Sequence, residues 1–327
     1  MYKHFSVSRD VADHFISLFV NRPIYGMQFI RPAADGSFPY FLAKDKKTDE
    51  PIPLNADVVR MHLNGDITIN VYSPNPETQR SKWVAIDADF DGSLKALAKI
   101  QWELKQDGVE AAQEQSRRGG HLWVFFATPL LAAEVRIYIY NVALRAGVPI
   151  QGGGLKQGIE VFPKQDRIEE DEYGNAIRAP MGVHRKSNRR YWFYEAAPHP
   201  EKQLAYIEGL KKLTEGKLQT LIQGMSLPEA YRRPEPVPYY PPKFLRDSTC
   251  ETRILSLVAV NNRARDSRNW VARCPSCARA GRDRAGDNLK IKKADPRFYQ
   301  CFAGCSSEDI REALGLPIRR KSFVRGA

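Results

Sequence analysis

Two apolar strands that each deliver polar groups at one end constrain this 327-residue chain more than any other feature. From Trp83 the sequence reads W-V-A-I-D-A-D-F-D-G, then a helical pattern, then E-Q-S-R-R-G-G-H-L-W-V-F-F to Phe126. Residues i and i+2 of a strand share a face, about 7 Å apart along the chain. Asp87 and Asp89 therefore read as a side-by-side carboxylate pair, suited to one or two divalent cations roughly 4 Å apart. Arg117, Arg118 and His121 gather at the start of the second strand. The Gly119-Gly120-His121 turn would let backbone approach a bulky anion among those cations. Acids beside an anion cradle point to phosphoryl chemistry.

D-A-D-F-D-G also carries acids at positions 1, 3 and 5 and glycine at 6 of a calcium loop. Position 12 of such a loop is a bidentate glutamate, and here it is Ala98, while the preceding W-V-A-I is a strand pattern rather than a helix; calcium is excluded. An acidic strand-end turn without metal remains the bland alternative for the pair taken alone. Glu160, in I-E-V-F-P-K-Q, supplies a third strand-borne carboxylate, followed by Lys164 and Gln165. Asp166 is a rival third acid that Pro163 is expected to turn away.

Around this centre the chain reads as an α+β protein with mixed or antiparallel strands. Ser8 caps an amphipathic helix with Val11, Phe15, Leu18 and Phe19 on one face; His14 on it reads as structural. Residues 24–82 read as short strands, including D-V-V-R-M-H-L, with Asn64-Gly65-Asp66 before a hairpin that feeds the Trp83 strand. In that pairing the ring of Tyr72 would approach the acids, with an ordinary core or edge aromatic as the alternative. Ser93 caps a helix bearing Leu94, Leu97, Ile100 and Leu104. Ala132–Ala146 forms another helix, stopped by Gly147. A glycine-rich loop enters the Glu160 strand, and A-I-R-A-P-M-G-V-H-R-K-S-N-R-R-Y-W-F-Y reads as a hairpin packing Arg178, His184, Arg185 and Lys186 among aromatics. Residues 200–226 are helical and polar, and Thr249–Asn262 reads as a helix.

The proline-rich stretch L-P-E-A-Y-R-R-P-E-P-V-P-Y-Y-P-P reads as a semi-rigid linker. It places a catalytic domain at 1–226, a linker at 227–245 and a basic domain at 246–327. The net charge of +12 is concentrated there: from Lys243 onward 19 Lys/Arg face 9 Asp/Glu. That balance suits a polyanion such as nucleic acid, with a solvated basic surface as the alternative. No apolar run reaches membrane-spanning length, and M-Y-K-H-F-S lacks a signal-peptide core, so a cytoplasmic location without a membrane partner is expected.

Cys274-Pro-Ser-Cys277 and Cys301-Phe-Ala-Gly-Cys305 form C-x2-C-x23-C-x3-C, a four-thiolate pattern for one structural Zn²⁺. D-N-L-K-I and R-F-Y-Q-C-F between and around them read as ribbon strands. Cytoplasmic chemistry disfavours disulfides, and Cys250 is left over as a buried thiol.

The order D87-A-D89, then S116-R-R-G-G-H121, then I159-E160 resembles the three motifs of the archaeo-eukaryotic primase superfamily. G-G-H-L-W-V-F-F, E-V-F-P-K-Q and R178-A-P-M-G-V-H184-R-K are similar to the primase-polymerases of mobile elements, conflict systems and CRISPR loci. The resemblance spans roughly Phe15 to Glu195. It departs from the family pattern at Gly119, where a serine commonly stands two residues before the histidine; Ser116 is displaced, and glycine backbone stands in for it.

The resemblance implies a primase catalytic core with an RRM-like unit and flanking helices, followed by a small helical, zinc-ribbon domain. It implies that Asp87, Asp89 and Glu160 hold two Mg²⁺ or Mn²⁺ ions. The incoming nucleotide's triphosphate would be bound from among His121, Arg117, Arg118, Ser116, Gly120, Lys164, Gln165, Arg178, His184, Arg185 and Lys186, with Tyr72 stacking on the sugar. The expected activity is DNA primase-polymerase, with single-stranded DNA template, primer and NTPs or dNTPs as partners and a helicase or other replication or CRISPR protein nearby. C-F-A-G-C-S-S-E-D-I-R-E-A-L-G looks like a primase zinc ribbon, which in that family engages template. A two-metal nuclease or phosphoesterase, and a non-catalytic zinc-ribbon adaptor, are the rival expectations.

Overall fold

The computed structural model describes residues 4–152, 155–170, 172–231, 252–261 and 266–316. The chain divides into two compact units, Met1–Pro234 and Glu235–Ala327. In the first, α1 (Arg9–Phe19), β1 (Tyr25–Gln28), β2 (Tyr40–Leu42), α2 (Ala56–Asn64) and β3 (Ile69–Ser73) precede β4 (Arg80–Ala88). Then come α3 (Ser93–Gln106), β5 (Ala112–Gln115), β6 (Gly120–Leu131), α4 (Ala132–Arg145) and β7 (Glu160–Phe162). β8 (Asn175–Arg178), β9 (Val183–His184), β10 (Arg189–Arg190), α5 (Pro200–Gly209) and α6 (Glu215–Ile222) complete it.

Two four-stranded sheets carry the unit, one in the order β2-β1-β3-β8 and one in the order β5-β6-β4-β7, with a separate β9-β10 hairpin. All pairings between these strands are antiparallel, so the fold is the α+β class expected. The second sheet is apolar on both faces, and strand parity sorts its side chains. Val84, Ile86, Leu122, Val124 and Val161 form a core with Leu97, Ile100, Val135 and Ile139 of α3 and α4. Trp83, Ala85, Trp123, Phe125 and Phe162 face the opposite core, shared with α1, α2, α5 and the first sheet. The Trp83 indole donates to the Phe19 carbonyl at 2.9 Å.

α1 forms as expected, with Ser8 Oγ accepting the Val11 N–H at 3.3 Å. D-V-V-R-M-H-L is helix α2, not a strand. The Asn55 side chain caps it by accepting from Val58 N–H at 3.0 Å, and Gly65 ends it at φ 100°. Ala56, Val59 and Leu63 are buried on one stripe, a helical spacing that outweighs the β-branched valines. Asn64-Gly65-Asp66 is therefore a helix end and not a hairpin turn. β3 does not pair with β4, because both edges of β4 are taken by β6 and β7. Gly92, not Ser93, caps α3; Ser93 is buried in the first turn, and Leu94 is exposed.

The expected long basic hairpin is split. β8 joins the first sheet beside β3, and only β9 and β10 pair with each other. Residues 232–245 of the linker and Cys250 lie outside the described residues. No helix among the described residues is long and apolar enough to cross a membrane.

In the second unit, α7 (Thr252–Leu257), β11 (Asn269–Ala272), α8 (Pro275–Arg279), β12 (Leu289–Lys292), β13 (Tyr299–Cys301) and α9 (Ser307–Ala313) surround a three-stranded ribbon. α7 is shorter than the helix expected to run to Asn262, since Val260 bridges to Ala272 as extended chain. Its small core is Ile254, Ala272, Leu289, Ile291 and Ile310 with the cysteines.

His62 on α2 is buried. Its Nδ1 accepts from Ile69 N–H at 3.3 Å and its Nε2 lies 3.0 Å from the Pro180 carbonyl, so the ring is neutral with its proton on Nε2. Burial pushes its pKa down to about 3. The unfolded chain therefore takes up a proton, below about pH 6.5, that the folded chain refuses. The stability from neutral His62 is complete above about pH 6.5 and falls as the pH drops towards 3. Urea unfolding at pH 7 and 4.5 should show a smaller acid loss in His62→Gln than in the wild type. An equal loss would remove His62 as the cause.

Candidate active site

Antiparallel register builds the site. Asp87 on β4 lies opposite His121 on β6 and Glu160 on β7, and His121 lies opposite Glu114 on β5. Glu114, His121, Asp87 and Glu160 thus form one row across the sheet, just beyond the apolar run of Trp83, Ala85, Trp123 and Phe162 on the same face. Asp89 follows the end of β4. A cavity of about 680 Å³ opens here, lined by Asp87, Asp89, Asp91, Glu160, Arg118 and Lys156. The three acids named from sequence therefore share one cavity.

The row is electrostatically tight. Burial raises the Asp87 pKa, His121 opposes that rise, and the carboxylates of Asp89 and Glu160 add to it. His121 Nε2 is 3.5 Å from Asp87 Oδ1 and its Nδ1 is 2.7 Å from Glu114 Oε2. Burial opposes charge on this ring, but Glu114 and Asp87 outweigh it and the pKa is raised. Asp89 pairs with Arg118, and Lys164 Nζ lies 3.0 Å from Glu160 Oε2. Among the described residues, the four cysteines are the one group of three or more Cys, His, Asp or Glu that the geometry brings together as a metal-ligand set, their sulfurs all within 4.8 Å of one another. The donor set of the three carboxylates is nonetheless all hard oxygen, as Mg²⁺ and Mn²⁺ require, and like charges drawn together at a cavity wall favour a divalent cation.

The other candidates divide. His184, on the β9-β10 hairpin, lies within the electrostatic field of Arg178, Arg117 and Asp89. Burial and those arginines push it down to about 4, so at neutral pH it is uncharged. Ser187 N–H donates to its Nδ1 at 3.3 Å, which leaves the proton on Nε2. His184 can give a phosphate a hydrogen bond but not a charge. Arg117 is exposed. Ser116 Oγ accepts the Gly119 N–H at 3.2 Å, which occupies the glycine donor expected to meet the anion.

Arg178 is held by Glu114 at 2.9 Å. Arg185 donates to the Gly65 carbonyl at 3.2 Å, Gln165 donates to Asn175, and exposed Lys186 lies within the field of Asp35. Tyr72 is not brought to the acids: it sits in the first sheet with its ring 6.3 Å from that of Tyr173. Asp166 pairs with Arg136 of α4 and is not a third cavity acid.

Glu114 and Lys156 were not among the candidates. Glu114 had a signal: a hairpin centred on Arg117-Arg118 places it opposite His121. Lys156 had none beyond its glycine-rich loop.

The glycines of G-G-H serve packing. A Cβ on Gly119 would stand 1.9 Å from the Ala88 carbonyl oxygen and 2.6 Å from Ser93 Oγ; on Gly120 it would stand 2.9 Å from the Glu114 carbonyl. The turn is stripped of side chains so that it can lie against the end of β4.

In the second unit, Cys274, Cys277 and Cys301 are buried and no cysteine of the four is in a disulfide. Cys277 Sγ lies 3.6 Å from Cys301 Sγ and 3.3 Å from Cys305 Sγ. The edge of a tetrahedral thiolate site is roughly 3.8 Å, so the set fits a zinc-sized ion. Asp283 braces the first knuckle, accepting from Cys274 N–H at 2.7 Å and Gly286 N–H at 2.8 Å.

The model of the archaeo-eukaryotic primase domain of TOTE conflict systems matches residues 13–221. Among solved structures, the catalytic domain of primase RepB′ in complex with initiator DNA is 14% identical, over 66% of this chain and 94% of that one, with a TM-score of 0.35. The polymerase domain of Mycobacterium tuberculosis ligase D in complex with DNA is 12% identical, over 67% of this chain and 89% of that one, with a TM-score of 0.32. No curated protein matches.

Gly119→Ala is expected to lower stability by about 1–3 kcal/mol, because a carbonyl of β4 must give way. Gly209→Ala at the end of α5, where nothing lies within 4 Å of the added Cβ, should cost nothing. Thermal unfolding of the two variants checks the contrast.

Proposed function

The chain belongs to the archaeo-eukaryotic primase domain family of TOTE conflict systems, and from that membership we propose that it is a DNA primase-polymerase. Nucleotidyl transfer is the general chemistry of the family. The finer reading is template-directed addition of NTPs or dNTPs, starting or extending primers on single-stranded DNA. One observation carries it: Asp87, Asp89 and Glu160, distant in sequence, line one cavity with Arg118 and Lys156 on its wall.

In this reading Asp87, Asp89 and Glu160 hold two Mg²⁺ or Mn²⁺ ions, which when bound activate a 3′-hydroxyl and neutralise the triphosphate. His121, buried between Asp87 and Glu114, is assigned to a phosphate through its Nε2–H, which stands 3.5 Å from Asp87 Oδ1. Arg118 and Lys164, the cations paired to the acids, and exposed Arg117 are assigned to phosphate oxygens. Neutral His184 adds a hydrogen bond. Positioning and charge stabilisation carry the rate, with no covalent intermediate. Gly119 and Gly120 are assigned to packing rather than to phosphate, and Tyr72 drops out of sugar contact.

The cysteine cluster is assigned one structural Zn²⁺, and the basic second unit is assigned to the template strand. A helicase partner is no part of this reading.

Labelled nucleotides, a single-stranded template and Mn²⁺ or Mg²⁺, with and without primer, test it. Template-dependent product should appear and fall by at least about a hundredfold in Asp87→Ala. Shortening of the template would instead point to a two-metal nuclease, and binding without chemistry to an adaptor. Metal analysis should return one equivalent of zinc, lost in Cys274→Ser with Cys301→Ser. A zinc-free protein with an intact, folded second unit would refute the ribbon assignment.

A further inference from the structure

Glu114 is fully buried on β5 and lines no part of the cavity. A carboxylate in such a place costs several kcal/mol unless its oxygens are satisfied by charged partners. Both oxygens are. Oε2 accepts His121 Nδ1–H at 2.7 Å and Trp123 Nε1–H at 3.1 Å, and Oε1 accepts from Arg178 Nη2 at 2.9 Å. His121 and Trp123 come from β6 of the same sheet, and Arg178 comes from β8 of the other. Burial alone would push the Glu114 pKa up; Arg178 and His121 reverse this and hold it below its ordinary value.

A purely structural pair could be replaced by packed apolar groups with little loss. What this arrangement adds is direction. With Nδ1–H engaged, the imidazole has one other nitrogen to present, and its Nε2 stands 3.5 Å from Oδ1 of Asp87, a carboxylate of the cavity wall. Trp123 Nε1–H bonds the same oxygen, so the carboxylate cannot follow the ring if the ring rotates.

We propose that Glu114 is a positioning residue for the incoming nucleotide: it locks His121 with Nε2 towards the triphosphate, while Arg178 serves as its buried counter-charge rather than as a phosphate contact. The inference rests on the reading of the cavity as a nucleotide site. Arg178 is 9% exposed at its side chain and already spends a guanidinium N–H on Glu114, in keeping with that role.

Glu114→Gln tests it, because an amide has one acceptor oxygen and cannot serve both His121 and Arg178. Two readouts on the full chain separate this inference from the activity: equilibrium binding of a labelled nucleoside triphosphate, and primer extension. Glu114→Gln should weaken triphosphate binding and raise the nucleotide KM by about tenfold or more, with kcat changed less than about threefold. On a His121→Ala background the same substitution should add less than about twofold. Should Glu114→Gln not fold by circular dichroism, Glu114→Asp keeps the charge for Arg178 but withdraws the carboxylate from Nδ1, and the same KM effect is expected. Unchanged binding in a folded variant, or a full loss that adds to His121→Ala, overturns the positioning role. A wild type that binds triphosphate but makes no product refutes the polymerase reading and leaves the Glu114 test standing on binding.

Discussion

The position of β4 between β6 and β7 is the constraint on which the rest of the site depends. Apolar side chains cover both faces of this strand from Trp83 through Ile86, and the next position is Asp87. Burial on both sides leaves no freedom to slip: a one-residue shift would exchange the residues facing the two cores and carry Asp87 into the helical layer. With register thus held, Asp87 is obliged to meet His121 on one side and Glu160 on the other.

From that row outward, each group is shaped by its neighbour. Asp87 shares the cavity with three further acids, Asp89, Asp91 and Glu160, and is kept from isolation by His121. Asp87 and Glu114 in turn favour the charged form of His121 against the cost of its burial, and Arg178 from the opposite sheet favours the charged form of Glu114. The chain of alternating charges runs from solvent into the joint between the sheets. It explains why a basic residue read from sequence as a phosphate ligand, Arg178, is instead spent on the interior. His184 shows the same logic with the opposite result: close to arginines and half-buried, it stays neutral.

The glycines show how one sequence pattern can carry two physical meanings. G-G-H beside arginines suggests bare backbone offered to an anion. In the folded chain the same bareness lets the turn lie against Ala88 and Ser93, and the Gly119 N–H is taken by Ser116. The cationic side chains, not the glycine amides, face outward around the acids.

Much of the candidate site was legible in the sequence because each of its parts sits in a short motif of its own. Strand alternation put Asp87 and Asp89 on one face, the family resemblance grouped them with His121 and Glu160, and cysteine spacing announced the thiolate cluster. The α+β class followed from the alternation of periods along the chain. What periodicity could not settle was partner choice. A segment as β-branched as D-V-V-R-M-H-L became a helix because Asn55 and Gly65 cap it and its buried stripe meets a core. Tyr72 left the acids because both edges of β4 were already occupied. Arg178 turned inward because a buried carboxylate on another sheet needed a counter-charge. By itself the sequence determined which chemical groups the chain would carry and on which face of each strand they would stand. Only the tertiary structure decided which of them meet, since long-range pairing follows from the burial of whole faces and from charge balance in the interior, and neither is written in any single segment.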